Sequence, residues 1–128
     1  MVEGVMSAAT VQFFFTMRDQ LKLHHWQTHS FARHKATDKV IESLDGNIDE
    51  FVEVYMGKYG RPRVGRATGT IQVRNLTEKT VVTFVKGCIG YLMGPLAKEL
   101  APKDTDLLNV RDEMLGNLHQ LLYLFSLK

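Results

Sequence analysis

The chain has 128 residues, 45% apolar and 23% charged, enough for one domain over residues 1–128 with a sizeable core. Its formal charge of +2 is too small to point to nucleic acid by itself. The single cysteine, Cys88, excludes an intrachain disulfide framework and fits a reducing compartment.

No run approaches the roughly 18 apolar residues of a membrane span, and the N-terminus lacks the charged start of a signal peptide. A cytoplasmic protein with no membrane partner is therefore expected. No internal repeat or low-complexity segment is visible, and four helical stretches follow one another.

The first helix is expected from about Ser7 to Ser30, with Ser7 as N-cap. Val11, Phe14, Leu21 and His25 form one stripe, interrupted by Arg18. Phe13, Phe15, Met17, Leu23 and Trp26 add apolar surface elsewhere, so this helix should pack on more than one side. Of its histidines, His24 and His29 are alternative candidate ligands, with a surface position the preferred reading of both.

The second helix is expected from Phe31 or Ala32 to Tyr59, where Gly60 followed by Pro62 is a stop signal. His34, Asp38, Asp49 and Glu53 lie on one side of it, at roughly 0°, 40°, 60° and 100° around the axis. Asp38 and Asp49 are about 16 Å apart along that axis, too far to share one ion. Their spacing is nevertheless a palindrome of four, eleven and four residues. Two copies packed antiparallel about a two-fold axis near residues 43 and 44 would bring His34 and Asp38 of one chain to Glu53 and Asp49 of the other. Such a contact creates two identical nitrogen and oxygen clusters. The same axis gathers Glu42 and Asp45 at its centre, a like-charge cost unless water, Lys39 or a cation screens them. Gly46 permits close approach there.

Residues 60–75, GRPRVGRATGTIQVRN, form the one long connection. With Lys58, Arg61, Arg63, Arg66 and Arg74 it is basic, and it reads as a solvated loop or a phosphate-contacting patch. Asn75 to Glu78 resembles a capping box opening the third helix. Val81, Val85, Cys88 and Leu92 supply that helix's apolar face, Gly87, Gly90 and Gly94 offer close helix contacts, and Pro95 should end or kink it. Cys88 reads as a buried, inert thiol. The fourth helix starts near Asp104 and carries Leu107, Met114, Leu118, Leu121 and Phe125 on one stripe. The fold class is all-α, a ferritin-like four-helix bundle with its long connection between the second and third helices.

Imidazole mixed with carboxylates suits iron or manganese better than structural zinc, which favours cysteine. No Glu-x-x-His pair is present, so a di-iron centre built within one chain is not expected. His25 on the first helix lies one short turn from His34 and adds a further candidate ligand.

His25-Trp26, His34-x-x-x-Asp38 and Asp49-x-x-x-Glu53 resemble the ferroxidase signature of the Dps miniferritins. The resemblance covers residues 21–60, and the stretch from Asp106 to Leu127, with His119 and Tyr123, is similar more weakly. It implies catalytic, metal-binding roles for His25, His34 and Asp38 of one subunit with Asp49 and Glu53 of its two-fold mate. It also implies iron as the metal, peroxide or dioxygen as oxidant, and a homo-oligomeric cage of twelve subunits. Trp26 matches the family's tryptophan beside the site. The interval from His25 to His34 is shorter than usual in the family, so the hairpin turn must be tight. Residues 1–17 contain no lysine or arginine, so a DNA-binding basic tail of the kind some members carry is absent. Two other readings stand beside this one. The first is a ferritin-like shell or scaffold without ferroxidase activity that binds nucleic acid, DNA included, through the basic connection. The second is a bundle storing zinc or manganese without redox chemistry.

Overall fold

A computed structural model describes residues 6–127, and the start from which the missing signal peptide was read lies partly outside them. Four long helices and one short one make up the regular structure: α1 (Ala8–Gln27), α2 (Phe31–Tyr59), α3 (Thr80–Met93), α4 (Pro95–Lys98) and α5 (Thr105–Phe125). Among the described residues there is no strand, so the all-α expectation holds.

Local chemistry sets most of the ends. Ser7 Oγ accepts from Thr10 N–H at 3.2 Å and Ser30 Oγ accepts from Arg33 N–H at 3.2 Å. Both satisfy donors that a helix start leaves orphaned. Gly60, at φ +107°, ends α2, a conformation glycine adopts without steric penalty. Gly94 and Pro95 divide α3 from α4. The capping box expected at Asn75–Glu78 does not form. Thr77 and Thr80 instead exchange backbone-to-hydroxyl bonds of 3.0 and 2.8 Å, while Glu78 is drawn away by Arg33 and Thr28.

The connection from residue 60 to 79 is a strap laid along α1. The Gln12 side-chain amide donates to the carbonyls of Ala67 and Thr70 at 3.2 and 2.8 Å. Gln20 donates to Arg74 O at 2.7 Å and accepts from Arg74 N–H at 2.9 Å. Gln27 reaches Asn75 at 2.7 Å. These glutamines, two turns apart, form one stripe on α1, and the strap follows them from one end of the bundle to the other. The chain therefore runs up α1, down α2, back up through the strap, down α3 and up α5. α2 packs against α1 and α5, and α3 against α5; Tyr91 of α3 reaches α1, stacking on Phe13 with ring centroids 4.1 Å apart.

The core holds Phe14, Met17 and Leu21 of α1, Val40, Leu44 and Phe51 of α2, Val81, Val85 and Leu92 of α3, and Leu107, Met114, Leu118 and Leu121 of α5. Two expectations shift in phase. The buried stripe of α1 runs through Met17 and His24, with Val11 only packed against its edge. Gly87 and Gly90 face open space, as does Gly46, so none marks a close contact within the chain. Cys88 is buried as expected, and burial pushes its thiol up to about 12.

The statement about membrane spans needs correction. Thr80–Lys98 is long and apolar enough to cross a membrane by length and composition, with mean hydropathy 1.4. Its glycines and threonines, together with a single interior lysine, hide this from a search for continuous apolar runs. Its inner face nonetheless belongs to the bundle core, through Val81, Val85, Cys88 and Leu92.

At the end where α1 starts, Asp104 is fully buried. Burial pushes its carboxyl up, but bonds from Tyr59, the Ala101 N–H and Lys58 outweigh that and hold it below the usual range. Tyr59 Oη donates to it at 2.6 Å, Ala101 N–H at 2.8 Å, and Lys58 lies 3.0 Å away. Lys58 also pairs with Asp106, so it is committed to closing the α2–α5 corner. Tyr55 Oη accepts from the Met6 N–H nearby.

His24 corrects another expectation. It is 2% exposed, lies edge-on to Phe125 with ring centroids 5.8 Å apart, and neither ring nitrogen has a hydrogen-bond partner. Burial lowers its pKa below 6.5; Glu78 opposes the shift and Arg33 adds to it. A histidine whose folded pKa is depressed destabilises the fold as pH falls, because the unfolded chain takes up the proton first. Stability should decline below pH 6.5, by at most about 1.4 kcal/mol per pH unit from this residue. His24→Leu should remove that part of the slope. It should also raise stability near pH 7.5 by on the order of 1 kcal/mol, because an unsatisfied buried ring is replaced. Denaturant melts of both proteins across this pH range check it; equal slopes would refute the assignment.

Candidate metal centre

The hairpin linking α1 to α2 has only Thr28, His29 and Ser30 outside the helices. This is the tight turn that the short His25–His34 interval requires. The end of α1 leaves carbonyls without partners, and a side chain from α2 meets that need at His25. His34 Nδ1 lies 2.9 Å from the carbonyl oxygen of His25, in the last turn of α1, and His25 Nδ1 lies 2.7 Å from the carbonyl oxygen of His34. A carbonyl can only accept, so both imidazoles carry their proton on Nδ1. The rings stack with centroids 3.9 Å apart and planes 15° from parallel. Thr37 Oγ1 sits 3.0 Å from His25 Nδ1 and donates to Arg33 O at 2.7 Å.

This reciprocal clasp leaves the two Nε2 atoms holding lone pairs. His25 Nε2 stands 4.0 Å from Asp38 Oδ1, and His34 Nε2 has no hydrogen bond among the described residues. An imidazole whose Nδ1–H is fixed by a carbonyl is held in one orientation and tautomer, the usual arrangement around a ligating histidine. His25 is buried, His34 is exposed, and the Asp38 side chain is 65% exposed.

Asp49 and Glu53 are also exposed, three to four turns further along α2. Within one chain they do not meet the histidines. Among the described residues, no group of three or more His, Cys, Asp or Glu side chains could hold a metal ion. The five candidates thus fall into two separated sets, one at each end of the same helix. His29 is exposed, as expected.

Around Asp49 lies an apolar groove of about 570 Å³, lined by Val11, Phe14, Phe15 and Arg18 of α1, Asp45, Ile48, Asp49 and Val52 of α2, and Pro62. Phe15 is 55% exposed there. Arg18 Nε lies 3.2 Å from Asp45 Oδ1, so Asp45 has a guanidinium partner within its own chain. Sequence reading had Arg18 only as an interruption of an apolar stripe, although a cation within such a stripe was itself the signal. Thr37 went unread as well; a threonine one turn after Arg33 is too common to mark a site. Trp26 is 68% exposed, with the Lys22 ammonium 5.8 Å from its ring centroid.

A model for a family of unknown function, DUF5856, matches residues 25–125, a span that contains all five candidate ligands. The uncharacterized 14.6 kDa protein in the mobD-ri intergenic region of Enterobacteria phage T4 is 29% identical over 127 residues, covering 98% of this chain and 93% of that protein. No solved structure matches.

The clasp makes a direct spectroscopic prediction. Long-range proton–nitrogen correlation spectra of the metal-free protein above pH 7 should show both His25 and His34 as the Nδ1–H tautomer. His29, exposed and without such a bond, should show the Nε2–H form that free imidazole favours. An Nε2–H signal from His25 or His34 would contradict the geometry.

Proposed function

The chain belongs to the DUF5856 family, and we propose that it is a ferritin-like bundle of the Dps miniferritin kind that oxidises Fe(II) at sites shared between two copies. The observation that carries this reading is the pair of carbonyl-locked imidazoles beside Asp38, with Asp49 and Glu53 exposed further along the same helix. Helix order supports it too, since two helix pairs joined by one long crossover are the ferritin-like arrangement.

A second copy, turned end for end over the groove, buries Phe15 and brings the partner's Asp49 and Glu53 to the clasp. Each complete site then holds two imidazoles and three carboxylates. Iron is the substrate. Carboxylates bind Fe(III) more strongly than Fe(II) and so favour loss of an electron, while neutral Nε2 donors hold the reduced ion before oxidation. With hydrogen peroxide, two Fe(II) ions each lose one electron. The O–O bond breaks as the peroxide takes both electrons and two protons, giving two waters. Fe(III) then hydrolyses to mineral inside the assembled shell. A supply of Fe(II) requires a reducing compartment such as the cytoplasm, in keeping with the lone buried thiol.

Sharing of the site is tested by complementation. Asp38→Ala and Asp49→Ala, assembled separately, should each lose at least tenfold in Fe(II) oxidation while keeping the mass of the assembly. Co-assembled in equal amounts, half the pairs are mixed, and each mixed pair has one intact site of two. The mixture should therefore recover about a quarter of the unmodified rate. A mixture as inactive as its parents, once shown to co-assemble, would refute a site built from two chains.

A further inference from the structure

A second groove, open and polar, runs between α2 and α5 with a volume of about 820 Å³. Glu42, Gly46 and Glu50 line it from α2, Glu113 and Gly116 from α5. A Cβ added at either glycine would meet nothing within 4 Å, so the floor is bare and another chain can come close to it. Across the groove runs a fixed chain of amides. Asn117 Nδ2 donates to Asn47 Oδ1 at 2.7 Å, and Asn47 Nδ2 donates to Glu113 Oε2 at 3.1 Å. Glu42, Glu50 and Glu113 are exposed, and none has a cation within ion-pair distance among the described residues.

The matching cations lie elsewhere on the same chain. Arg18, Arg33 and Arg111 each pair with a carboxylate. Arg61, Arg63, Arg66 and Arg74 on the strap are exposed, and among the described residues none does so. Gln12 and Gln20 hold the strap backbone at Ala67, Thr70 and Arg74, so little ordering entropy is lost when it docks. The helices follow one another around the bundle as α1, α2, α5 and α3. The strap is tied to α1, diagonally across from α5, and strap and groove do not meet within one chain.

We propose that the strap of one copy docks into the α2–α5 groove of the next, through guanidinium–carboxylate pairs. A symmetric contact would set strap against strap and groove against groove, like charge on like, so the contact is head to tail. Guanidinium forks match carboxylates in pairs. Single exposed ion pairs are weak, but several on complementary faces set orientation and partner choice. A contact of this kind closes into a ring or runs on as a filament. It is separate from the two-fold contact of the proposed function, and either can fail without the other.

The test is the mass of the nuclease-treated full chain by sedimentation. In low salt the unmodified chain should show about twice the mass, or more, that it has in about 1 M salt, where screening shortens the reach of charges to about 3 Å. Changing Arg61, Arg63, Arg66 and Arg74 to Glu should give the smaller species in low salt. So should Glu50→Lys with Glu113→Lys, and all six changes in one chain should restore the larger one. Gly116→Phe, which adds bulk where the chain itself leaves open space, should also give the smaller species. Lys86→Glu with Lys98→Glu, exposed cations on other elements, should leave the mass unchanged. Circular dichroism should show every variant folded. Fe(II) oxidation reports on the shared two-fold site separately and should survive reversal of the strap. A mass independent of salt, or one that survives reversal of either face, would overturn the proposal. Failure of the six-fold variant to regain the larger mass would overturn it as well.

Discussion

Two imidazoles, each donating its Nδ1 proton to the other's main-chain carbonyl, are the constraint on which the rest of this molecule depends. His25 belongs to the last turn of α1 and His34 to the first turns of α2, so the exchange closes the hairpin at the point where α1 leaves a carbonyl unpartnered. One pair of hydrogen bonds therefore does three things. It fixes the angle at which α1 meets α2, sets the tautomer of both rings, and leaves both remaining nitrogens as electron-pair donors. The three-residue link is compatible with little else. A longer turn would let the helices separate and the rings choose their own partners.

From that anchored end, α1 and α2 run down the bundle side by side, with an apolar groove between them. Its floor is apolar, Arg18 pairs with Asp45 at the end nearer the clasp, and Asp49 lies further along. Acidic side chains that would repel one another in a self-pairing face thus come with a built-in counter-ion. The strap lies on another side of α1 and holds the uncompensated positive charge.

Much of the helical plan could be read from residues with strong local meaning. Ser7 and Ser30 as caps, Gly60 with Pro62 as a stop, and Pro95 as a break each act within a few residues of themselves, so their effect does not depend on the fold. The buried faces of α3 and α5 were equally plain, because their apolar residues recur with helical spacing. On α1 the run Phe13-Phe14-Phe15 left the phase of the stripe open, and that is why His24 was placed at the surface although it packs against Phe125. Glu78 looked like a capping residue but found Arg33, a partner from a distant part of the sequence. Gln12, Gln20 and Gln27 carried no local signature for holding a strap, since what they bind is backbone some fifty residues away. The candidate ligands on α2 were legible from spacing alone. The carbonyl locks on the two histidines were not, because they depend on the length of a turn and on which lone pairs it leaves open.

The central claim is that a metal centre is completed across a two-fold axis. Crystals soaked anaerobically with Fe(II) and measured at the iron absorption edge test it most directly. The account predicts anomalous peaks lying between His25, His34 and Asp38 of one protomer and the partner's Asp49 and Glu53, repeated by the two-fold. Iron held by a single chain, or protomers related in a way that leaves Asp49 far from any clasp, would contradict it.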